Sequence, residues 1–537
     1  MMTFKAEGKG IQAYVNIKLF WFLLIAVIVI SVLPYRQLFS RGFSDTDDFL
    51  ELHRAVTTDI TAPSKIFLTP HYSNRYRPVN RIITATTTYL FGLNAQGFLL
   101  RNLVFHIASV ILVFLIALSL TGNQGISAIT SVLFALHPSN VNFISVAINT
   151  HSFGSCLILL AVFLLIPDDI SNGYIHVKYR KVLLSLSLLI IATCSTEMYL
   201  WVLPIFTIYM IWLFCKNSNK QYLFFAFTAI LFVLFFLAVR HSIIDSKIYT
   251  ISNYGDTYGL RGLRQIAMNF AMYLTAAGFS LDPLLFFNPV VQTLPMGSDL
   301  LKSPGLVFSL LMSFVVVFVT LFGIASVVPS WRHRNNLFIL LFFSLFLLSL
   351  SVILISAKAS ETYMYLPNAF MALTQGLLLN ELMRLSPEDG CGLKTTYVVV
   401  TLLFLVMVIR CYSVDHRNRI LADKANRVQY MQNEIRRALK DNRAQTICFA
   451  TLCPERKGYS VYGGQGIDIL MGRGCALGRE TKFVQLTLGD LKVMAKSMDL
   501  SEVIKEDRLP GSIGAKILFI DDEGSIYENP NQTFKCR

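Results

Sequence analysis

The chain has 537 residues, of which 54% are hydrophobic and only 15% charged, with 41 phenylalanines and a mean hydropathy of +0.55. A soluble domain carries about a quarter charged residues. The composition therefore excludes soluble multidomain, disordered, collagen-like, coiled-coil and small disulfide-scaffold classes, and it is that of a polytopic membrane protein. Lys+Arg exceed Asp+Glu by 47 − 33 = 14, a surplus that suits anionic lipid, cytoplasmic loops and anionic substrates here rather than nucleic acid.

A membrane span takes roughly 20 mostly apolar residues. The first is 16–35 (NIKLFWFLLIAVIVISVLPY), too long for a removable signal peptide and without a small-residue cleavage site. Further runs lie at 98–121, 125–148, 150–167, 181–198, 199–215, 221–240, 305–328, 337–356, 363–383 and 395–412. They predict an α-helical polytopic fold with about eleven transmembrane helices. The splits near 148 and 198 rest on short polar breaks.

With the N-terminus cytoplasmic, the short inner loops carry Lys178, Arg180, Lys181, Lys216, Lys220, Arg332, Arg334, Arg384 and Lys394, whereas the short outer breaks carry only Lys358. This is the positive-inside pattern. The first outer loop, 36–97, breaks it with seven basic residues, among them Arg75 and Arg77; long loops translocate regardless of charge, and these arginines call for another reason.

The composition changes near Tyr412. A charged, helix-like stretch over 415–441 precedes strand-like runs TICFATL, YSVYGG, KFVQLTL and AKILFID, punctuated by Gly and Pro. The expected organisation is a transmembrane domain over 1–412 and a small α+β extracytoplasmic domain over 413–537. Four of the nine cysteines, Cys448, Cys453, Cys475 and Cys536, lie in that tail, and four cysteines outside the membrane permit three pairings. The tail glycines (Gly463-Gly464-Gln465-Gly466 and Gly472-Arg473-Gly474) match neither a P-loop nor a dinucleotide fingerprint.

Ionisable residues at membrane depth mark candidate sites. Asp45-Thr46-Asp47-Asp48 follows the first span closely. Paired carboxylates there suit removal of a proton from an acceptor hydroxyl by one and positioning of that hydroxyl, or a metal, by the other; the same acids would equally cap a helix beginning at Phe49. Arg75, Arg77 and Arg81 suit a phosphate-bearing ligand, or lipid headgroups. Pro78 suits the first position of a helix. Asn102 and His106 share one face of the second span, where a histidine serves as an interhelical hydrogen-bond partner or a catalyst. His137-Pro138 breaks the third span. Neither His137 nor His151 has metal-ligand spacing with Cys, Asp or Glu, so no metal site is expected. Glu197, Arg240, Glu361 and Tyr365 lie at outer ends of spans by this topology. Helix-end snorkelling accounts for any one of these charges but poorly for the one-sided set.

In order, these motifs are Asp47-Asp48, Tyr76-Arg77-Pro78, Asn102 with His106, His137-Pro138, Ser195-Thr196-Glu197, Arg240, and Glu361 through Pro367. The series resembles the GT-C superfamily of polyprenyl-phosphate-sugar glycosyltransferases, and most nearly its protein O-mannosyltransferase branch, which includes transmembrane enzymes bearing TPR repeats. Two departures stand out: Thr196 occupies the place of a lysine usual in the family, and the tail has no TPR period. The resemblance implies an inverting transfer of a sugar from an undecaprenyl-phosphate hexose to an extracytoplasmic hydroxyl. Asp47 is then the base, Asp48 orients the acceptor or tunes Asp47, and Arg77, Arg240 and Arg75 hold the donor phosphate. Glu197, Glu361, Tyr365, Asn102, His106 and His137 shape the pocket. It also implies a bacterial inner-membrane protein whose active site and tail face the periplasm, with membrane lipids as surroundings and no cofactor. A divalent metal has no support in the spacing. The acceptor expected is a cell-surface glycan such as the O-antigen of lipopolysaccharide, because the tail lacks TPR repeats. Protein Ser/Thr is the alternative, and a flippase for lipid-linked sugars is a rival outside enzymology.

Overall fold

A computed structural model describes residues 16–43, 66–68, 76–92, 94–147, 150–167, 169–171, 174–244, 263–278, 316–325, 334–354, 363–385 and 401–426 (apart from 402, 420 and 424), and the strands 446–451, 482–486, 515–520 and 526–527. Helix α1 (Ile17–Val32) continues as a 3-10 helix over Leu33–Ser40. There follow α2 (Pro78–Phe91), α3 (Ala95–Thr121), α4 (Gln124–Ala135), α5 (Val141–Ser145) and α6 (His151–Leu165). A hairpin of β1 (Asp169–Ser171) and β2 (Tyr174–His176) leads to α7 (Tyr179–Ser195), α8 (Val202–Asn217) and α9 (Lys220–Ile243). Beyond them lie α10 (Leu263–Gly278), α11 (Val316–Ala325), α12 (Arg334–Leu354), α13 (Tyr365–Leu385) and α14 (403–419).

Local chemistry sets many of the starts. Asn16, Asn94, Asn123 and Asn219 occupy the N-caps of α1, α3, α4 and α9, each accepting amide protons of the first turn, as an asparagine cap does. Pro78 opens α2 at its first position, where its missing N–H costs nothing. Gly92 ends α2 with φ +61°, a conformation that a side chain disfavours.

The helices are apolar on nearly all sides, and the segments Ile17–Ser40, Ala95–Thr121, Glu197–Asn217 and Lys220–Ile243 are long and apolar enough to cross a bilayer; the protein is an integral membrane protein. Helix α3 packs against α1, α4 and α6; α13 lies across α4 and against α12; α6 pairs with α7, and α8 with α9. One core joins them, built around buried Phe134, Phe143, Phe206, Phe342, Phe346 and Tyr365. Gly376 lets α13 approach α4 closely: a Cβ there would meet the Cβ and Cγ2 of Thr130 at 3.0 Å as well as its Oγ1. Gly376→Val should therefore destabilise the bundle by about 1–3 kcal/mol through overpacking. Thermal unfolding in detergent checks this, and an unchanged midpoint would show that the two helices separate freely.

The expected third span, 125–148, is not one helix. Leu136 and His137 interrupt it, Pro138–Asn140 forms a 3-10 turn, and α5 resumes. The interruption is buried, so its polar groups are met from within the protein, as lipid requires. The Asn140 side-chain amide donates to the Phe134 carbonyl (2.7 Å), and Asn368 of α13 donates to Asn140 Oδ1 (3.0 Å). From α14, Arg410 donates to the Leu133 carbonyl (2.8 Å), Arg417 to that of Pro138 (2.6 Å) and Asn418 to that of Pro34 (2.9 Å).

Helix α14 runs through Tyr412, where the composition changes, so the expected domain boundary falls inside a helix whose Arg410, Arg417 and Asn418 are all buried. Helix α10 was not among the expected spans; its apolar and polar residues alternate too closely to form an unbroken apolar run. In the tail, β3 (Thr446–Thr451), β4 (Lys482–Leu486), β5 (Ala515–Ile520) and β6 (Ile526–Tyr527) form a sheet of order β4-β3-β5-β6. Strand β3 pairs in parallel with β4 and β5, and β6 pairs antiparallel with β5. Three of the four expected strand runs are strands; the fourth, 459–464, lies outside the described residues, as do Cys453, Cys475 and Cys536.

Candidate functional site

Three of the sequence motifs converge at one junction. Ser195 ends α7, its hydroxyl donating to the Ala192 carbonyl (2.6 Å). Thr196 is extended, and Glu197–Tyr199 makes a 3-10 turn before α8. That turn is held against α6 by Tyr199, whose hydroxyl bonds the Ser155 hydroxyl (2.7 Å) and the His151 carbonyl (3.0 Å). Gly154 admits it, since a Cβ there would meet Ser195 Oγ at 2.6 Å and the Tyr199 ring.

Held in this way, Glu197 uses both carboxylate oxygens. Oε1 accepts the backbone N–H of Tyr76, 121 residues earlier. Oε2 accepts from Arg240 Nε at 3.1 Å, in an ion pair whose side chains are only 17% and 22% exposed for Arg240 and Glu197 respectively. The Tyr76 ring packs on Phe236 (5.5 Å between centroids), and Phe236 lies one turn before Arg240 on α9, on the same face. Exposed ion pairs contribute about 0–1 kcal/mol. This pair is mostly shielded and shares its carboxylate with a main-chain amide, so it fixes the end of α9 to the segment entering α2.

Arg77 follows Tyr76 directly. It is 7% exposed, and its Nε has no hydrogen-bond partner among the described residues. A guanidinium buried without an anion is costly, and this one lies beside an acid already committed to other groups. The junction therefore holds a buried arginine whose Nε is unpaired among the described residues.

The remaining expected residues fall into separate places. His106 Nδ1 bonds the Tyr365 hydroxyl at 2.8 Å within an aromatic box of Tyr35, Phe134 and Phe143, and both residues are fully buried. Asn102 donates to the Val146 carbonyl (2.9 Å) and, with Arg101, to that of Ala147 (3.3 and 2.9 Å); it holds the end of α5. His137 Nδ1 meets the Asn368 amide at 2.9 Å and its Nε2 the Ala277 carbonyl at 3.4 Å, inside the α4 interruption. Asp47, Asp48, Arg75 and Glu361 lie outside the described residues. The stalk of the acidic loop is described: buried Arg41 donates to the Ser145 carbonyl, and Phe43 packs edge-on against Phe98 at 5.8 Å. No group of three or more His, Cys, Asp or Glu able to hold a metal occurs among the described residues.

Sequence reasoning missed Tyr199, Ser155 and Gly154, which position Glu197, and Arg410, Arg417 and Asn418 of α14. Arginines in an otherwise apolar stretch were the available signal for the α14 set. Nothing local marks the others.

No family model matches the chain, and no curated protein matches it. Solved structures do. The apo oligosaccharyltransferase of Archaeoglobus fulgidus superposes with a TM-score of 0.48 at 12% identity, over 88% of this chain and 65% of that one; the chain thus spans about two thirds of its length. ArnT from Cupriavidus metallidurans, bound to undecaprenyl phosphate, gives 0.45 at 11%, over 94% of this chain and 93% of that one. Archaeal AglB from Archaeoglobus fulgidus, in complex with an inhibitory peptide and a dolichol-phosphate, gives 0.47 at 12%, over 94% and 70%. At such scores the likeness assigns no activity.

Proposed function

We propose that the protein is a GT-C membrane glycosyltransferase, which moves a sugar from a polyprenyl-phosphate donor, an undecaprenyl-phosphate hexose, to an extracytoplasmic hydroxyl. Asp47 is the base, Asp48 its partner, and Arg77 with Arg240 the donor-phosphate clamp, with Arg75 in reserve. Glu361 belongs to the same outer face. The acceptor is a cell-surface glycan such as O-antigen, with protein Ser/Thr as the alternative. The domain over 413–537 stands on the same side as the active site.

The observation that carries the reading is the junction at Glu197. Tyr76-Arg77, Ser195-Thr196-Glu197 and Arg240 are far apart in sequence yet meet at one buried point. A transporter would gather its polar residues near mid-bilayer on broken helices, whereas this junction joins one helix end, one helix start and one inter-helix turn. The chemistry follows from the charge. When the anomeric carbon is attacked, negative charge grows on the departing lipid phosphate, and a preorganised guanidinium stabilises it without reorganising. Glu197 keeps Arg240 in place, and Arg77, with no carboxylate of its own among the described contacts, provides the uncompensated charge.

Sugar transfer from a purified polyprenyl-phosphate hexose in nanodiscs tests this. Arg77→Ala should cut kcat/KM by about 10² or more, the scale of losing one electrostatic contact at a transition state. Arg77→Lys should recover only part, because lysine lacks the planar fork. Wild-type rates in Arg77→Ala would remove Arg77 from the site.

A further inference from the structure

At the other end of α7 from Glu197 the chain forms a cleft of about 310 Å³. It lies where β2 runs into α7 and α8 turns into α9, and Lys178, Arg180, Asn219, Gln221 and Tyr222 line it. Tyr179 begins α7 at the cleft and Ser195 ends it beside Glu197, 17 residues in all, a rise of about 25 Å. Helix α9 likewise starts here at Lys220 and carries Arg240 in its last turn. The hydrocarbon core of a bilayer is about 30 Å thick, so the cleft faces the leaflet opposite the Glu197 junction.

The floor of the cleft is fixed by Tyr222, a buried residue whose hydroxyl donates to the Val177 carbonyl (3.0 Å) and accepts the Val177 N–H (3.4 Å). Asn219 caps α9 through the Gln221 amide (3.0 Å). Helix α7 has no such cap. Lys178 holds the position without a side-chain bond, and the amides of Tyr179 and Arg180 find no acceptor among the described residues. Arg180 donates from Nε to the Tyr179 hydroxyl (3.3 Å), and its two terminal nitrogens have no partner among the described residues. None of the lining residues is acidic.

Two side-chain cations and two free amides at a helix start, where the dipole favours negative charge, suit an anion with several acceptor oxygens. The surroundings indicate what carries that anion. A turn further along, Leu183 and Leu184 of α7 and Leu223, Phe224 and Phe227 of α9 are 45–65% exposed, an apolar wall for which a soluble anion has no use. Exposed Tyr179 at the mouth and the stacked Tyr209 and Trp212 near the end of α8 (5.7 Å between centroids) lie at headgroup level, where such aromatics gather.

We propose that this cleft binds the headgroup phosphate of an anionic phospholipid, such as phosphatidylglycerol, in the leaflet opposite the Glu197 junction. Lys178, Arg180 and the first amides of α7 take the phosphate oxygens, and the acyl chains lie along α7 and α9. The proposal does not depend on the transferase reading.

The test is native mass spectrometry of the detergent-solubilised full chain titrated with dioleoylphosphatidylglycerol, dioleoylphosphatidylcholine or inorganic phosphate. Phosphatidylglycerol should be retained more tightly than phosphatidylcholine. Lys178→Gln and Arg180→Gln should each weaken its retention about fivefold, the scale of one basic side chain at an anionic membrane surface, and leave phosphatidylcholine unchanged, with thermal midpoints confirming the fold. Lys216→Gln is the control, because Lys216 is exposed in the last turn of α8 at the same end of the bundle but outside the cleft lining; it should change retention little. An equal loss with Lys216→Gln would reduce the effect to diffuse charge and overturn the site. Equal retention of the two lipids would leave only the apolar wall and overturn it too. Inorganic phosphate should not displace the lipid at matched concentration; if it does, the cleft takes free phosphate and the lipid assignment fails. No sugar transfer is measured, so none of these outcomes bears on the roles of Asp47 and Arg77.

Discussion

Asp47→Asn should lower sugar transfer by about 10²–10⁴, the usual loss when a general base is removed, while leaving the fold and donor binding intact. The substitution keeps the shape and removes the basicity. The acidic loop leaves a fixed stalk: Arg41 is buried and anchored on the Ser145 carbonyl, Ser145 in turn donates to Asn418 of α14 (2.6 Å), and Phe43 packs on Phe98. Asp48→Asn should cost less than Asp47→Asn, and Asp45→Asn least, if Asp45 only caps a helix. Turnover measured with a labelled polyprenyl-phosphate hexose decides the order. Loss confined to Asp48→Asn or Asp45→Asn would reassign the base. Full turnover in all three would remove the loop from the chemistry and raise the flippase reading.

The second large effect concerns Glu197. Removing one partner of a shielded ion pair typically costs about 3–5 kcal/mol, and here the lost carboxylate also strands the Tyr76 amide. Glu197→Ala should therefore reduce transfer by at least about 10² and lower the thermal midpoint. Glu197→Gln, which keeps an acceptor for Tyr76 but not the charge, should lie between. A double-mutant cycle with Arg240→Gln should give a coupling of about 1–3 kcal/mol, as expected of residues in one network. Additive losses would mean that Arg240 and Glu197 act separately, as two helix ends snorkelling to the surface.

Much of this molecule was legible locally, for reasons that are themselves local. Hydrophobic runs long enough to span a bilayer, asparagine caps at residues 16, 94, 123 and 219, and Pro78 at the start of α2 all act within a few residues, so the sequence by itself marked several of the long apolar helices and some of their starts, but neither α10 nor the course of the interrupted third span. It also marked Tyr76-Arg77, Glu197 and Arg240 as charges too expensive to leave unexplained near the membrane. What it could not contain is which of those charges meet. Only the tertiary structure decided that Glu197 takes the Tyr76 amide and Arg240 together, because that choice depends on Gly154 letting Tyr199 close against α6. It likewise decided that His106 and Tyr365 join each other in a buried aromatic box, apart from the arginines in their contacts. The interruption at His137-Pro138 could be read from its proline. Its partners could not, since Arg410 and Arg417 arrive from a helix more than 200 residues away to satisfy the Leu133 and Pro138 carbonyls, and Asn368 arrives from another to bond the side chains of His137 and Asn140. In lipid no water can do so, and the pairing is set by which helices pack together.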